Sequence, residues 1–436
     1  MHAANSGTGW ALAIVGLSVV LVAAFSRRLS GTPLTPAIVV VALGLLAGPL
    51  VLDKLTAAPT SSLVRTLAEA TLAVVLFSDA SRIDLHALRR DAAIPARLLG
   101  IGLPLTIAGG ALAAAALFPS LSLSEVAMLG VILAPTDAGL GSAVVTDERL
   151  PQRVRQSLNV ESGLNDGLCV PLLLLAIATA AGPAESAHPA QLLAEEVGYG
   201  ALAGGAVGLL TGGVVVAAER LKLIDTPWLQ LVPIAAAASS FGVALALGGS
   251  GFIAAFVAGL VYGLTTRGEK AEEMRFTEEA GLLLDAVTFL VFGAVLLSPA
   301  LEEISWRFAL YAVLSLTVVR MVPVALAMLR SGARWQTVSF IGWFGPRGLA
   351  SIVFAVIVED ADPAHAPTIL TAAYLTVGLS VLVHGLSAAP LVDRYSSWYA
   401  RHGRVRAKME SESSPEHRPR RSWLARYGQA SAERPR

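Results

Sequence analysis

Residues 159–181 read NVESGLNDGLCVPLLLLAIATAA. The stretch opens on Asn159, Glu161, Ser162, Asn165 and Asp166 and runs on into residues apolar enough for lipid. On a helix, Glu161 and Asn165 are i,i+4 and share one column, while Ser162 and Asp166 form the adjacent one. Together they draw a polar stripe about 100° wide on an otherwise apolar helix. An amphipathic helix end at the membrane interface is the plain alternative. However, LPQRVRQSL at 150–158 already supplies a charged interfacial turn, which puts Asp166 near mid-membrane. Gly163 and Gly167 lighten the helix and permit close approach of a neighbour.

The rest of the chain agrees with a lipid setting. Its 436 residues are 55% hydrophobic and 15% charged, against about 25% charged in soluble domains. Apolar runs of roughly 20 residues, the length a bilayer core requires, recur along most of it. They are continuous rather than alternating, which excludes a membrane barrel. The reading is an all-α polytopic membrane protein with about thirteen spans: 9–26, 36–52, 63–80, 97–118, 124–147, 156–181, 192–218, 228–248, 251–265, 279–298, 306–329, 337–358 and 367–391. The first run is a full span without a basic leader, so it is not read as a cleaved signal. Cys169 stands alone and supports neither a disulfide framework nor a metal cluster. Residues 1–400 form the membrane domain; the basic Ser-, Glu- and Pro-rich tail 401–436 is expected to be disordered. Loops after odd-numbered spans carry basic residues such as Arg27, Arg28, Arg82, Arg89, Arg90, Arg149, Arg153, Arg155, Arg267 and Lys270. Loops after even-numbered spans carry only Lys54, Arg65 and Arg307. Basic loops stay cytoplasmic, so the N-terminus is expected outside a cell (inner) membrane and the C-terminus inside.

Two spans are interrupted. Span 5 reads LGVILAPTDAGLGSAVV (129–145), with Thr136 and Asp137 just past Pro135; span 12 reads SFIGWFGPRGLASIVF (339–354), with Arg347 between Pro346 and Gly348. With span 7 as a linker, each is the fifth member of a six-span set, and the two sets run oppositely. Paired interruptions in inverted repeats point to a transporter's midplane site. Crossed broken helices leave partial charges inside the membrane, and Asp137 and Arg347 carry signs that can neutralise them. Glu161 needs a cation, and Arg320 in span 11 is the preferred partner, with Arg347 as the alternative; a buried charge without its mate is costly. That leaves Asp166 for a cargo. A carboxylate beside a carbonyl, a hydroxyl and an amide is a hard-oxygen site for a small cation, and proton and cation would compete for it. Asp79 either marks the cytoplasmic end of span 3 or joins the site, with Glu69 toward the outer half. Asp285 reads as interfacial and His384 as a neutral histidine satisfied by a backbone carbonyl. A channel would need neither a buried ion pair nor paired interruptions. An enzyme would need a nucleophile partner or metal-ligand spacing, and the sequence has neither.

APTD (134–137), VESGLNDG (160–167) and GPRGLAS (345–351), in this layout, resemble the monovalent cation/proton antiporters of the sodium/proton exchanger type over about residues 10–392. The resemblance implies electroneutral exchange marked by Asn165–Asp166, with Asp166 binding the ion. It assigns Thr136 a carbonyl toward the ion, Ser162 a place beside it, Glu161 a partner in Arg320, and Asp79 a share in the site. It implies a homodimer in membrane lipid, with a core of spans 4–6 and 11–13 moving against spans 1–3 and 7–10. Na⁺ is the expected cargo, with Li⁺ or K⁺ as alternatives, against H⁺; no cofactor, nucleic acid or enzymatic role is expected. Two positions depart from the family pattern: Ala138 stands where proline is common, and Asp79 where glutamate is usual.

Overall fold

The computed structural model describes residues 2–29, 32, 34–55, 60–83, 93–180, 189–266 and 274–402. The tail from residue 403 onward, and loop cations such as Arg89, Arg90, Arg267 and Lys270, lie outside the described residues. Among the described residues there is no strand; the helices are α1 (His2–Leu29), α2 (Pro36–Leu55), α3 (Thr60–Ser81), α4 (Ala93–Leu117), α5 (Leu123–Ile132), α6 (Ser142–Val145), α7 (Gln152–Ala180), α8 (Pro189–Arg220), α9 (Thr226–Ala246), α10 (Gly251–Thr265), α11 (Arg275–Glu302), α12 (Trp306–Ala327), α13 (Trp335–Trp343), α14 (Leu349–Asp360) and α15 (Ala366–His402). Seven of them (α4, α7, α8, α9, α11, α12 and α15) are long and apolar enough to cross a membrane. α15 continues well past the expected end of the last span, to His402.

The sequence explains where the helices stop. Ser122 and Glu125 form a capping box at the start of α5, which satisfies two of the first-turn amides. Ten residues later the helix ends, because Pro135 disfavours helical geometry at the residue before it. α5 is therefore only about 15 Å long, half a crossing. The same shortening yields α13 and α14 on either side of Phe344–Gly348. The division between α9 and α10 falls at GGSG, as expected: Gly248 takes a positive φ of 77° and Ser250 caps α10 through the Ile253 amide. Such a φ costs glycine little.

Packing follows two groupings. α3 and α8–α10 pack on one another, and α2 packs on α11. Gly200, Gly204, Gly208 and Gly212 line the α8 face against α10, so close that a Cβ at Gly208 would sit 2.6 Å from the Ala258 carbonyl oxygen. Small residues let membrane helices approach this way. On the other side α4, α5, α7 and α12–α15 surround the two interruptions, with α14 reaching across to α3 and α7 to α10.

Candidate functional site

Pro135 and the residues after it leave α5 with carbonyls that no helical amide reaches. Phe344–Gly348 leaves the start of α14 with free amides in the same way. The two interruptions cross and answer each other. The Asp137 amide donates to the Pro346 carbonyl at 2.8 Å. The Asp137 carboxylate accepts from the amides of Gly139 (2.7 Å) and Leu140 (3.3 Å) through Oδ1, and from Leu349 (3.0 Å) through Oδ2. It thus caps the N-terminus of α14, where the helix dipole favours an anion. A side chain at Gly348 would collide with this carboxylate, so glycine is what allows the approach. Arg347 does the converse: its Nη1 donates to the carbonyls of Ala134 (2.9 Å) and Pro135 (3.1 Å), at the negative end of α5. Each charge therefore neutralises the other helix's broken end rather than its own. Arg347 is fully buried.

α7 lies beside the crossing. Arg320 of α12 reaches Glu161 in a two-pronged pair, at 2.6 Å and 2.9 Å, with both side chains nearly inaccessible at 2% and 3% exposure. This fork-to-fork geometry is the strong form of a charged hydrogen bond. Arg347, the alternative partner, is occupied at the first break. Ser162 Oγ donates to the Thr136 carbonyl at 2.5 Å and accepts from the Ala138 amide at 2.7 Å. Asn165 Nδ2 donates to Thr136 Oγ1 at 2.8 Å. By its i,i+4 spacing Asn165 shares the Glu161 column, but its side chain bonds elsewhere. Asn165 belongs with Ser162 at the first break and not with the Glu161–Arg320 pair, because the unwound chain at 136 spans the width of both columns. Asp166 is half-buried one helical turn beyond Ser162. Asp79 is half-buried on α3 and faces α7 at Gly163, where a Cβ would stand 3.7 Å from its own. A small cavity beside the crossing is lined by Thr136, Asp137, Ser162, Val144, Leu158 and Phe344 among others; Asp166 and Asp79 lie outside that lining.

Sequence reasoning missed three ties. Glu125 accepts from the His365 amide at 2.8 Å as well as capping α5; the Ser-x-x-Glu spacing was the available signal. Arg65 on α3 pairs with Asp360 at the end of α14, and no local pattern links residues so distant in sequence. Ser380, on α15, accepts from the Arg347 amide, and its i,i+4 spacing from His384 was readable.

The sequence model of the transmembrane sodium/hydrogen exchanger family matches residues 16–394. The chain belongs to the sodium/hydrogen exchanger family. Its curated relatives include a probable Na⁺/H⁺ antiporter of Schizosaccharomyces pombe, 26% identical over 57% of this chain and 35% of its own length. A K⁺/H⁺ antiporter, NhaP, of Alkalimonas amylolytica is 26% identical over 73% of this chain and 55% of its own length. The chain thus spans about a third to just over half of these relatives. In fold it is similar to the sodium proton antiporter MjNhaP1 of Methanocaldococcus jannaschii, with a TM-score of 0.67 at 20% identity, covering 93% of this chain and 99% of that one. Within this chain the departure at Ala138 has a physical consequence. The Ala138 amide is a donor to Ser162, and a proline there has no hydrogen to give.

Proposed function

We propose that this chain exchanges a monovalent cation for protons, one for one, with both competing for Asp166. One observation carries the reading. Ser162 and Asn165, which flank Asp166 on α7, both bind Thr136 at the crossed break. With Asp166 turned toward the same break, a carboxylate, hydroxyls and a carbonyl would make up the oxygen set a small hard cation takes. Asp79, across from Gly163, supports its inclusion in the site. Glu161, Arg320, Asp137 and Arg347 are supporting groups that hold the interrupted backbones. Na⁺ is the first-choice cargo, given the family; K⁺ is a second reading, favoured by the relatives named as K⁺/H⁺ antiporters, and Li⁺ is a third.

In this reading α4–α7 and α12–α15 form a core that slides against α1–α3 and α8–α11 in alternating access. The protein works as a homodimer in a cell (inner) membrane, N-terminus outside and C-terminus cytoplasmic. Purified chain in proteoliposomes, with Na⁺, Li⁺ and K⁺ compared across pH, should show cation-driven proton movement insensitive to membrane potential. Asp166→Asn should abolish it; exchange that survives that substitution, or that voltage accelerates, would refute the mechanism.

A further inference from the structure

Two buried polar groups on α15 are idle in the exchange reading. Ser380 and His384 are i,i+4, and both are buried. Together they face both ends of the interruption between α13 and α14. The Arg347 amide donates to Ser380 Oγ at 2.7 Å. His384 Nε2 lies 3.0 Å from the Trp343 carbonyl oxygen, which also accepts from the Gly345 amide at 2.8 Å. His384 Nδ1 lies 3.2 Å from Ser380 Oγ and 3.0 Å from the Ser380 carbonyl.

The chemistry of the partners limits where the protons can sit. An amide only donates, so Ser380 Oγ accepts at Arg347 and keeps its own hydrogen to give. A neutral ring has one proton and two carbonyls within reach, Ser380 at Nδ1 and Trp343 at Nε2; the tautomer with the proton on Nε2 bonds Trp343 and leaves Nδ1 to accept. A neutral imidazole then accepts the Ser380 hydroxyl at Nδ1, and the chain of donors is complete: Arg347 amide to Ser380, Ser380 to His384, His384 to Trp343. A histidine that merely satisfied itself on its own helix would need only Nδ1 and the Ser380 carbonyl. The Nε2 bond crosses to another helix, at a backbone group that the interruption has freed. In a membrane interior, irregular backbone requires partners of this kind.

We propose that His384, acting with Ser380, is a positioning residue for cation exchange. It closes the backbone on both sides of residues 344–346 and so sets where Arg347 meets the first break. Arg347 in turn holds the Ala134 and Pro135 carbonyls, immediately before Thr136. The effect on transport rests on the exchange reading; the bracing of the backbone does not.

The test uses the full-length chain in proteoliposomes with His384→Gln, His384→Asn, His384→Leu and Ser380→Ala. Glutamine can place an amide N–H where Nε2 stands; asparagine is too short and leucine has no donor. Loss of one buried bond that strands its acceptor predicts an apparent cation KM raised about tenfold in the asparagine and leucine variants, with glutamine near wild type. Hydrogen-exchange mass spectrometry of residues 343–349 should show faster amide exchange in the same two variants and not in glutamine. Leucine with wild-type KM and wild-type amide exchange would overturn the proposal. So would glutamine and asparagine behaving alike, which decides the matter even if leucine does not fold. Wild-type chain that moves no protons would refute the exchange reading instead, while the amide exchange would still decide whether His384 braces the break.

Discussion

The two interrupted helices are held by different neighbours. The first, between α5 and α6, is tied by Ser162 and Asn165 from the turn of α7 that carries Asp166. The second, between α13 and α14, is tied by Ser380 and His384 of α15, a helix region with no carboxylate beside the crossing. Asp137 and Arg347 exchange ends between them. The first break is thus coupled to Asp166, the proposed cargo residue, through a single helical turn, while the second serves as its support. A change at the first should alter what is transported and how tightly. A change at the second should alter how well the first is held.

The largest effect belongs to the pair that serves both breaks. Glu161 sits on α7, and the Arg320 guanidinium lies against the backbone of Gly345. Glu161→Ala strands a buried guanidinium, which costs about 3–5 kcal/mol. The expected outcome is a sharp drop in folded protein by size-exclusion chromatography. Normal yield with lost exchange would instead give Glu161 a direct ionic role and dissolve the distinction between cargo site and support.

Asp137→Ala should come next. It removes a cap from α14 and the acceptor of two turn amides, a loss of about 0.5–2 kcal/mol for the cap, visible as a lower midpoint in thermal unfolding. If only the second break is loosened, cation affinity should fall less than in Ser162→Ala, measured side by side. Equal losses would mean that the two breaks act as one unit.

Much of this was legible in the sequence, and for identifiable reasons. Pro135 and Pro346 announce interruptions by backbone geometry alone, and the i,i+4 arithmetic places Glu161 and Ser162 in separate columns. The Glu161–Arg320 pair followed from charge accounting, since two buried charges of opposite sign require each other. The Asn165–Thr136 bond was not readable, because helical spacing describes one helix and says nothing about an unwound neighbour, whose chain at Thr136 reaches across both columns. His384 was readable as satisfied but not as bridging, because the Trp343 carbonyl becomes available only when α13 ends. The Arg65–Asp360 pair depends on how α3 and α14 meet, which no local pattern encodes.

Ala138→Pro sharpens the comparison at lower cost. It deletes the amide donor to Ser162 while leaving the carbonyl bond at Thr136. A net loss of about 1 kcal/mol is expected, too little to unfold the protein. The apparent cation KM should rise while amide exchange at 343–349 stays unchanged. Faster exchange there would show that the second break is not independent of the first.

The smallest effects on stability lie at the far ends of the interrupted elements, and they separate the two proposed moving parts. Beyond α6, Arg149 pairs with Asp393 of α15 at 2.8 Å; at the end of α14, Asp360 pairs with Arg65 of α3. All four side chains are exposed by 41% or more, and such pairs contribute roughly 0–1 kcal/mol. They differ in what they join. Arg149 and Asp393 lie within the proposed core, whereas Arg65 and Asp360 link that core to α3. A sliding core must open the second pair in every cycle and can keep the first. Asp360→Asn should therefore leave the unfolding midpoint nearly unchanged yet shift the exchange rate by up to about fivefold, the equivalent of 1 kcal/mol, with the shift muted at high salt. Asp393→Asn should change neither. If both substitutions alter the rate equally, the boundary between the parts does not run between α3 and α14.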